Sequence, residues 1–116
     1  MQGAEIKGWR QGASEGNLVS AFESVQPNGI LIIDEVDAIG GKREQMVNET
    51  NTSIVSTLCS LLDGAKHKDG VIVNGTTNRP HMIDNALRRP GRFDVEIYIL
   101  PPDVVGRAQI FTIHTA

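Results

Sequence analysis

One cysteine in 116 residues is too few for a disulfide framework, and Cys59 alone fits a chain from a reducing compartment. It lies in the apolar run 53–62, where a buried structural thiol is the expected role. No stretch reaches the roughly 18–20 consecutive apolar residues of a membrane span, and no basic-then-apolar leader opens the chain. Direct membrane insertion is therefore not expected, and a cytoplasmic location is. An excess of positive charge is missing too: 11 Lys and Arg against 14 Asp and Glu give a formal net charge of −3. The one concentrated basic group, Arg88, Arg89 and Arg92, is too short for a binding stripe, so no nucleic-acid partner is expected.

What is present reads as one small globular domain, 40% hydrophobic and 22% charged. After Ser14, a candidate N-cap, Leu18, Ala21, Phe22 and Val25 recur at helical spacing until Pro27-Asn28-Gly29 stops them. Ile30–Ile33 is an unbroken apolar run closed by Asp34-Glu35, which predicts a parallel strand buried on both faces. Residues 40–52 are polar and read as a loop or a frayed helix start. Ile54, Val55, Leu58, Leu61 and Leu62 then make one helical face, with Gly64 placed to end it. Lys66–Gly70 reads as a turn and Val71–Val73 as a second buried strand leading into Gly75-Thr76-Thr77-Asn78. Asp84 is placed to cap a short helix through Leu87. Val95, Ile97 and Ile99 alternate with Glu96 and Tyr98, which predicts a half-exposed strand. Beyond Pro101-Pro102, Asp103 is placed to cap a last helix carrying Val104, Ala108, Ile110 and Phe111. Strands alternating with helices in this order predict an α/β fold with a parallel sheet.

In open α/β sheets, ligands bind at the carboxyl ends of the strands, where Asp34 and Glu35 would stand. Two adjacent carboxylates there suit metal-assisted phosphoryl transfer. One orients Mg²⁺ through its water shell, because that ion dehydrates reluctantly, and the other polarises an attacking water. Asp-Glu pairs also close solvated strand ends, and the pair alone does not separate the two roles.

The pair opens Asp34-Glu35-Val36-Asp37-Ala38-Ile39, which is followed by Gly75-Thr76-Thr77-Asn78-Arg79-Pro80. Ile83-Asp84-Asn85-Ala86-Leu87-Arg88-Arg89-Pro90-Gly91-Arg92-Phe93-Asp94 comes next. In these three ordered motifs the sequence resembles the AAA family of ATPases along its whole length. The first is similar to that family's Walker B strand and the others to its second region of homology. Arg88–Asp94 and Ile113-His114-Thr115-Ala116 most resemble the group of the valosin-containing protein and the N-ethylmaleimide-sensitive factor.

The resemblance implies a partial P-loop NTPase core, a three-layer sandwich about a parallel sheet, spanning residues 1–116. It assigns Asp34 to the water shell of Mg²⁺, Glu35 to activation of the hydrolytic water, and Asn78 to the γ-phosphate of ATP or the attacking water. Arg89 and Arg92 correspond to arginine fingers that reach a neighbouring subunit's nucleotide, which implies a homo-oligomeric, hexameric ring. Arg88 is expected to be an ordinary surface arginine. His114 corresponds to a position near the adenine. Asp37, Arg43 and Arg79 fall on motif positions assigned to subunit contacts. Residues 2–6 and 12–18 resemble the segment carrying pore loop 1, with Arg10 where many relatives have an aromatic and Trp9 one residue earlier. Protein substrates and adaptors are the partners such a ring implies.

A phosphate-binding loop of the form Gly-x-x-x-x-Gly-Lys-Ser/Thr does not occur in these residues. Gly41-Lys42 is followed by Arg43 and lies after the acidic strand. In the family that loop and its strand precede the point matching Met1, and a helical lid follows the point matching Ala116. The expectation is a piece of an ATP-hydrolysing remodeller, inactive alone. The alternative is a non-catalytic docking module that supplies arginine fingers to a complete ATPase subunit.

Overall fold

The two apolar runs closed by Asp34 and Thr76 pair side by side. In the computed structural model, which describes residues 13–42, 49–65, 67 and 70–116, β1 (Ile30–Ile33) and β2 (Ile72–Gly75) form a parallel ladder. The register sets Ile30 against Ile72, Leu31 against Val73, Ile32 against Asn74 and Ile33 against Gly75. Parallel neighbours need a long crossover, and here it contains α2 (Asp37–Gly40) and α3 (Glu49–Ala65). Helix α1 (Ala13–Ser24) precedes the sheet, and α4 (Val104–Thr115) closes the chain.

One face of the sheet meets the helices. Leu31 and Ile33 pack with Leu18, Ala21 and Phe22 of α1 and with Ile54, Val55, Leu58 and Leu62 of α3. The α3 positions recur at helical spacing and so share one face. Leu18, Ile33, Leu58 and Leu87 are wholly buried, and each such side chain contributes about 1.5–3 kcal/mol of transfer free energy.

Two glycines let the segment after β2 fold back onto this core. Gly41 bridges Ile83, the Lys42 amide donates to the Met82 carbonyl (2.7 Å), and the Asp84 amide donates to the Gly40 carbonyl (2.7 Å). A Cβ on Gly40 would lie 2.5 Å from Leu87 Cδ1, so any larger residue there would force the buried Leu87 side chain to shift. A Cβ on Gly75 would press on Val36 and on the Phe93 ring at 3.2–3.3 Å.

Several expectations need correcting. Strand β1 is not buried on both faces: Ile30 and Ile32 are 60% and 51% exposed, because the described helices lie on the other side. Ile72 of β2 is exposed for the same reason. Strand β2 runs to Gly75, two residues beyond the expected end. Helix α1 begins at Ala13, ahead of Ser14, and α3 passes Gly64 to Ala65. A four-residue helix at Asp37–Gly40 went unforeseen. The short helix expected from Asp84 through Leu87 does not form: the Asp84 carboxylate accepts from the Ala86 amide (2.8 Å), and only turns follow. Pro90 has no N–H to continue a helix, and Gly91 takes φ 85. Residues 95–99 form no strand and are exposed, because no described strand lies beside them to take their hydrogen bonds. The last helix is capped by Asp103 as expected, its carboxylate accepting from the Gly106 amide (2.8 Å), yet none of its residues is buried. Residues 1–12 of the pore-loop segment, with Trp9 and Arg10, Arg43, and most of the Lys66–Gly70 turn lie outside the described residues.

Candidate active site

The parallel register makes the two strands end level, and that alone brings the motif residues together. Asp34 follows β1 by one residue and Thr76 follows β2 by one. The Thr76 amide donates to the Ile33 carbonyl (2.9 Å), and the Val36 amide donates to the Thr76 carbonyl (2.9 Å). The ladder is thus extended past both strands by local bonds. The Thr76 hydroxyl donates to Asp34 Oδ1, and the Glu35 amide reaches the same oxygen at 3.1 Å and Thr76 Oγ1 at 3.3 Å. Asp34 is therefore oriented by its neighbours while remaining exposed.

Glu35 takes φ 52, the left-handed region that L-residues avoid at a cost of roughly 1–2 kcal/mol. The conformation breaks the extended path at the strand end and starts the turn into α2. The Glu35 side chain is left exposed beside Asp34. A non-glycine residue held in this region marks a position where the surroundings impose the backbone, which is common at active sites.

Asn78 stands on the bend after β2, exposed, between two residues that are both tied down. The Thr77 hydroxyl donates to Asp37 Oδ1 (2.6 Å), and Arg79 donates to Asp37 Oδ2 through Nε (3.1 Å) and Nη2 (2.6 Å). Burial works against the charged form of Asp37. The hydrogen bonds from Thr77 and Arg79, with the guanidinium charge, outweigh it and hold the carboxyl below its usual range. Asp37 and Arg79, expected at subunit contacts, here bind each other within one chain.

The arginines separate. Arg88 pairs with Glu96 on the surface, whose carboxyl is held low by that bond and by Tyr98. Arg89 is exposed on the turn before Gly91. Arg92 folds inward: Nε and Nη2 donate to the two Asp63 oxygens of α3 (3.0 and 2.9 Å) and Nη1 to the Ala86 carbonyl (2.7 Å). The Asp63 bond, against some burial, raises its already high pKa. His114 is exposed in the last turn of α4.

No group of three His, Cys, Asp or Glu able to cage a metal ion occurs among the described residues. One oriented, exposed carboxylate at a strand end instead fits a hydrated Mg²⁺, which is held by one or two carboxylates together with substrate phosphates.

Thr76 was missed in the sequence: counting equal offsets from the two apolar runs sets Asn74 opposite Asp34, because β2 runs two residues past its apolar run. Asp63 carried no signal, since a carboxylate on an exposed helix flank looks the same whether or not an arginine folds onto it.

Over residues 1–100 the chain matches the family described as "ATPase family associated with various cellular activities (AAA)". It is also similar to Protein SAV of Sulfolobus acidocaldarius, at 47% identity over 117 aligned residues. That alignment takes in 99% of this chain but only 15% of the length of the relative.

Proposed function

The chain belongs to the AAA family of ATPases, and we propose that it carries the water-activating half of a nucleotide site in a ring-forming remodeller of protein complexes. On this reading Asp34, held by Thr76, receives the water shell of Mg²⁺, and Glu35 polarises the water that attacks the γ-phosphate of ATP. Asn78 orients that water or the phosphate with its amide. Magnesium, when bound, neutralises charge on the phosphates; the chain's own part is to place and deprotonate the water. The phosphate-binding loop comes from chain outside these residues.

Arg89 is the arginine this reading sends into the neighbouring subunit of a hexamer, where a guanidinium stabilises charge on the transferred group. Arg92 could follow only by releasing Asp63. His114 contacts the adenine, the ring acts in the cytoplasm with protein substrates and adaptors, and it works in the manner of the valosin-containing protein and N-ethylmaleimide-sensitive factor group.

The observation that carries the proposal is the level ending of β1 and β2, with Asp34 and Glu35 directly after one strand, tied to Thr76 directly after the other, and Asn78 on the bend that follows. The test is Glu35→Gln in a form of the protein that includes a phosphate-binding loop. ATP should still bind while hydrolysis falls by about 10²–10⁴-fold, the usual worth of a general base. Turnover at the parent rate would refute the role of Glu35. If the chain is instead a docking module, the isolated chain should raise the ATPase rate of a complete subunit, and Glu35→Gln should leave that effect intact.

A further inference from the structure

Asp37 is the one buried charged side chain among the described residues, 5% exposed, and the hydrolytic steps above make no use of it. Its ion-pair partner Arg79 is 62% exposed, and a pair open to solvent on one side adds little net stability. The pair's effect lies in what it holds in place.

Asp37 opens α2, two residues after Glu35, whose backbone sits at φ 52. Its partners, Thr77 and Arg79, flank Asn78 on both sides. The Arg79 amide also donates to Thr77 Oγ1 (2.9 Å), closing the bend around Asn78. One carboxylate therefore accepts three hydrogen bonds from the residues bracketing Asn78 while anchored to the turn that carries Glu35. The sheet ladder ends near Thr76, and the next backbone links between the two segments come only at Gly40–Lys42 with Met82–Asp84; between those points the clasp holds the stretch around Asn78.

We propose that Asp37 and Arg79, with Thr77, are positioning residues that fix the distance and orientation between Glu35 and Asn78. The inference rests on the proposed roles of those two residues. Neither Asp37 nor Arg79 touches the reacting atoms; they act by holding the water-activating and phosphate-sensing groups in one frame. Misplacement of about 1 Å by a remote change can cost on the order of 10²-fold in rate, so the clasp need not be near the chemistry to matter.

The experiment measures kcat, KM, ATP affinity and melting temperature for Asp37→Asn, Arg79→Lys, Thr77→Val, Arg79→Gln and Asp37→Asn/Arg79→Gln. It uses a form of the protein that carries a phosphate-binding loop. Asp37→Asn is expected to lower kcat by about 10–10²-fold, with ATP affinity changed by less than about threefold. Thr77→Val and Arg79→Lys, which keep the fold closest to the parent, should each lower kcat several-fold, roughly 3–10-fold. The double variant should be no worse than the worse single, because all three bonds belong to one unit. If Asp37→Asn does not fold, Thr77→Val and Arg79→Lys decide the matter alone. Parent kcat in both, a loss carried wholly by weaker ATP binding, or strict additivity in the double variant would each overturn the inference. Glu35→Gln is measured alongside. If it hydrolyses ATP normally, the site reading falls and takes the clasp with it. If it is dead while the clasp variants are normal, the clasp alone is refuted.

Discussion

Glu35 pairs the function proposed for it with a backbone that its side chain does not favour, and the two can be separated by substitution. Glu35→Ala and Glu35→Gly both remove the carboxylate, so both should lose hydrolysis to the same degree. They differ in what they ask of φ 52. Alanine keeps the Cβ and its clash with the carbonyl oxygen, costing roughly 1–2 kcal/mol in this region. Glycine adopts the region freely, but its unfolded chain gains freedom worth about 0.4–1 kcal/mol. The glycine variant should therefore be more stable than the alanine variant by about 1 kcal/mol, or about 2–8 °C in melting temperature depending on domain size. The local bonds that hold the turn use the backbone of residue 35 and not its side chain, so both variants keep them. Paired thermal melts and ATPase assays in one parent background supply both readouts. If the alanine variant melts at or above the glycine variant, the left-handed conformation is not a stored cost and the reasoning is wrong. If the two variants differ in residual hydrolysis by more than about tenfold, the backbone contributes to chemistry beyond the carboxylate.

Two further predictions follow from packing and charge. Leu58 is wholly buried at the centre of α3, so Leu58→Ala should cost about 2–5 kcal/mol in urea unfolding, and a loss under about 1 kcal/mol would mean the core is not as tight as described. Asp37 has its carboxyl depressed in the fold. Its contribution to stability is thus whole above the unfolded value of about 3.9 and is lost as pH falls through the lower folded value. Asp37→Asn should flatten the fall in stability below about pH 4, and an unchanged acid limb would show that the carboxyl is not held low.

The chemistry-bearing positions were legible because each lies next to a strong local signal. Ile30–Ile33 has no reading other than a short buried element, and its end marks Asp34-Glu35. Asn78 sits in a motif whose strand is short and apolar. What sequence could not supply was the neighbour. A continuous apolar run says that both faces of β1 are greasy, not that both are covered, and Ile30 and Ile32 are bare. The alternation at Val95–Ile99 says that the segment could pair, but a strand exists only where another offers its hydrogen bonds. Arg92 was readable as part of a motif, yet its inward turn depends on Asp63, a carboxylate 29 residues away on another element. The Asp37 clasp was hidden for the same reason, since its three bonds span some 40 residues of chain.

The level ending of β1 and β2 also sets where the chain can tolerate changes in length. The crossover between the strands contains α3, whose core face fixes its own register, but outside that helix residues can be gained or lost without altering which positions finish opposite each other. Within 72–79 the reverse holds. One extra residue in β2 would move every later position by about 3.3 Å along the strand and turn its side chain to the other face. Thr76 would no longer meet Asp34, and Asn78 would move with it. Homologues of this stretch should therefore vary in length between the strands and keep a fixed count from Ile72 to Arg79.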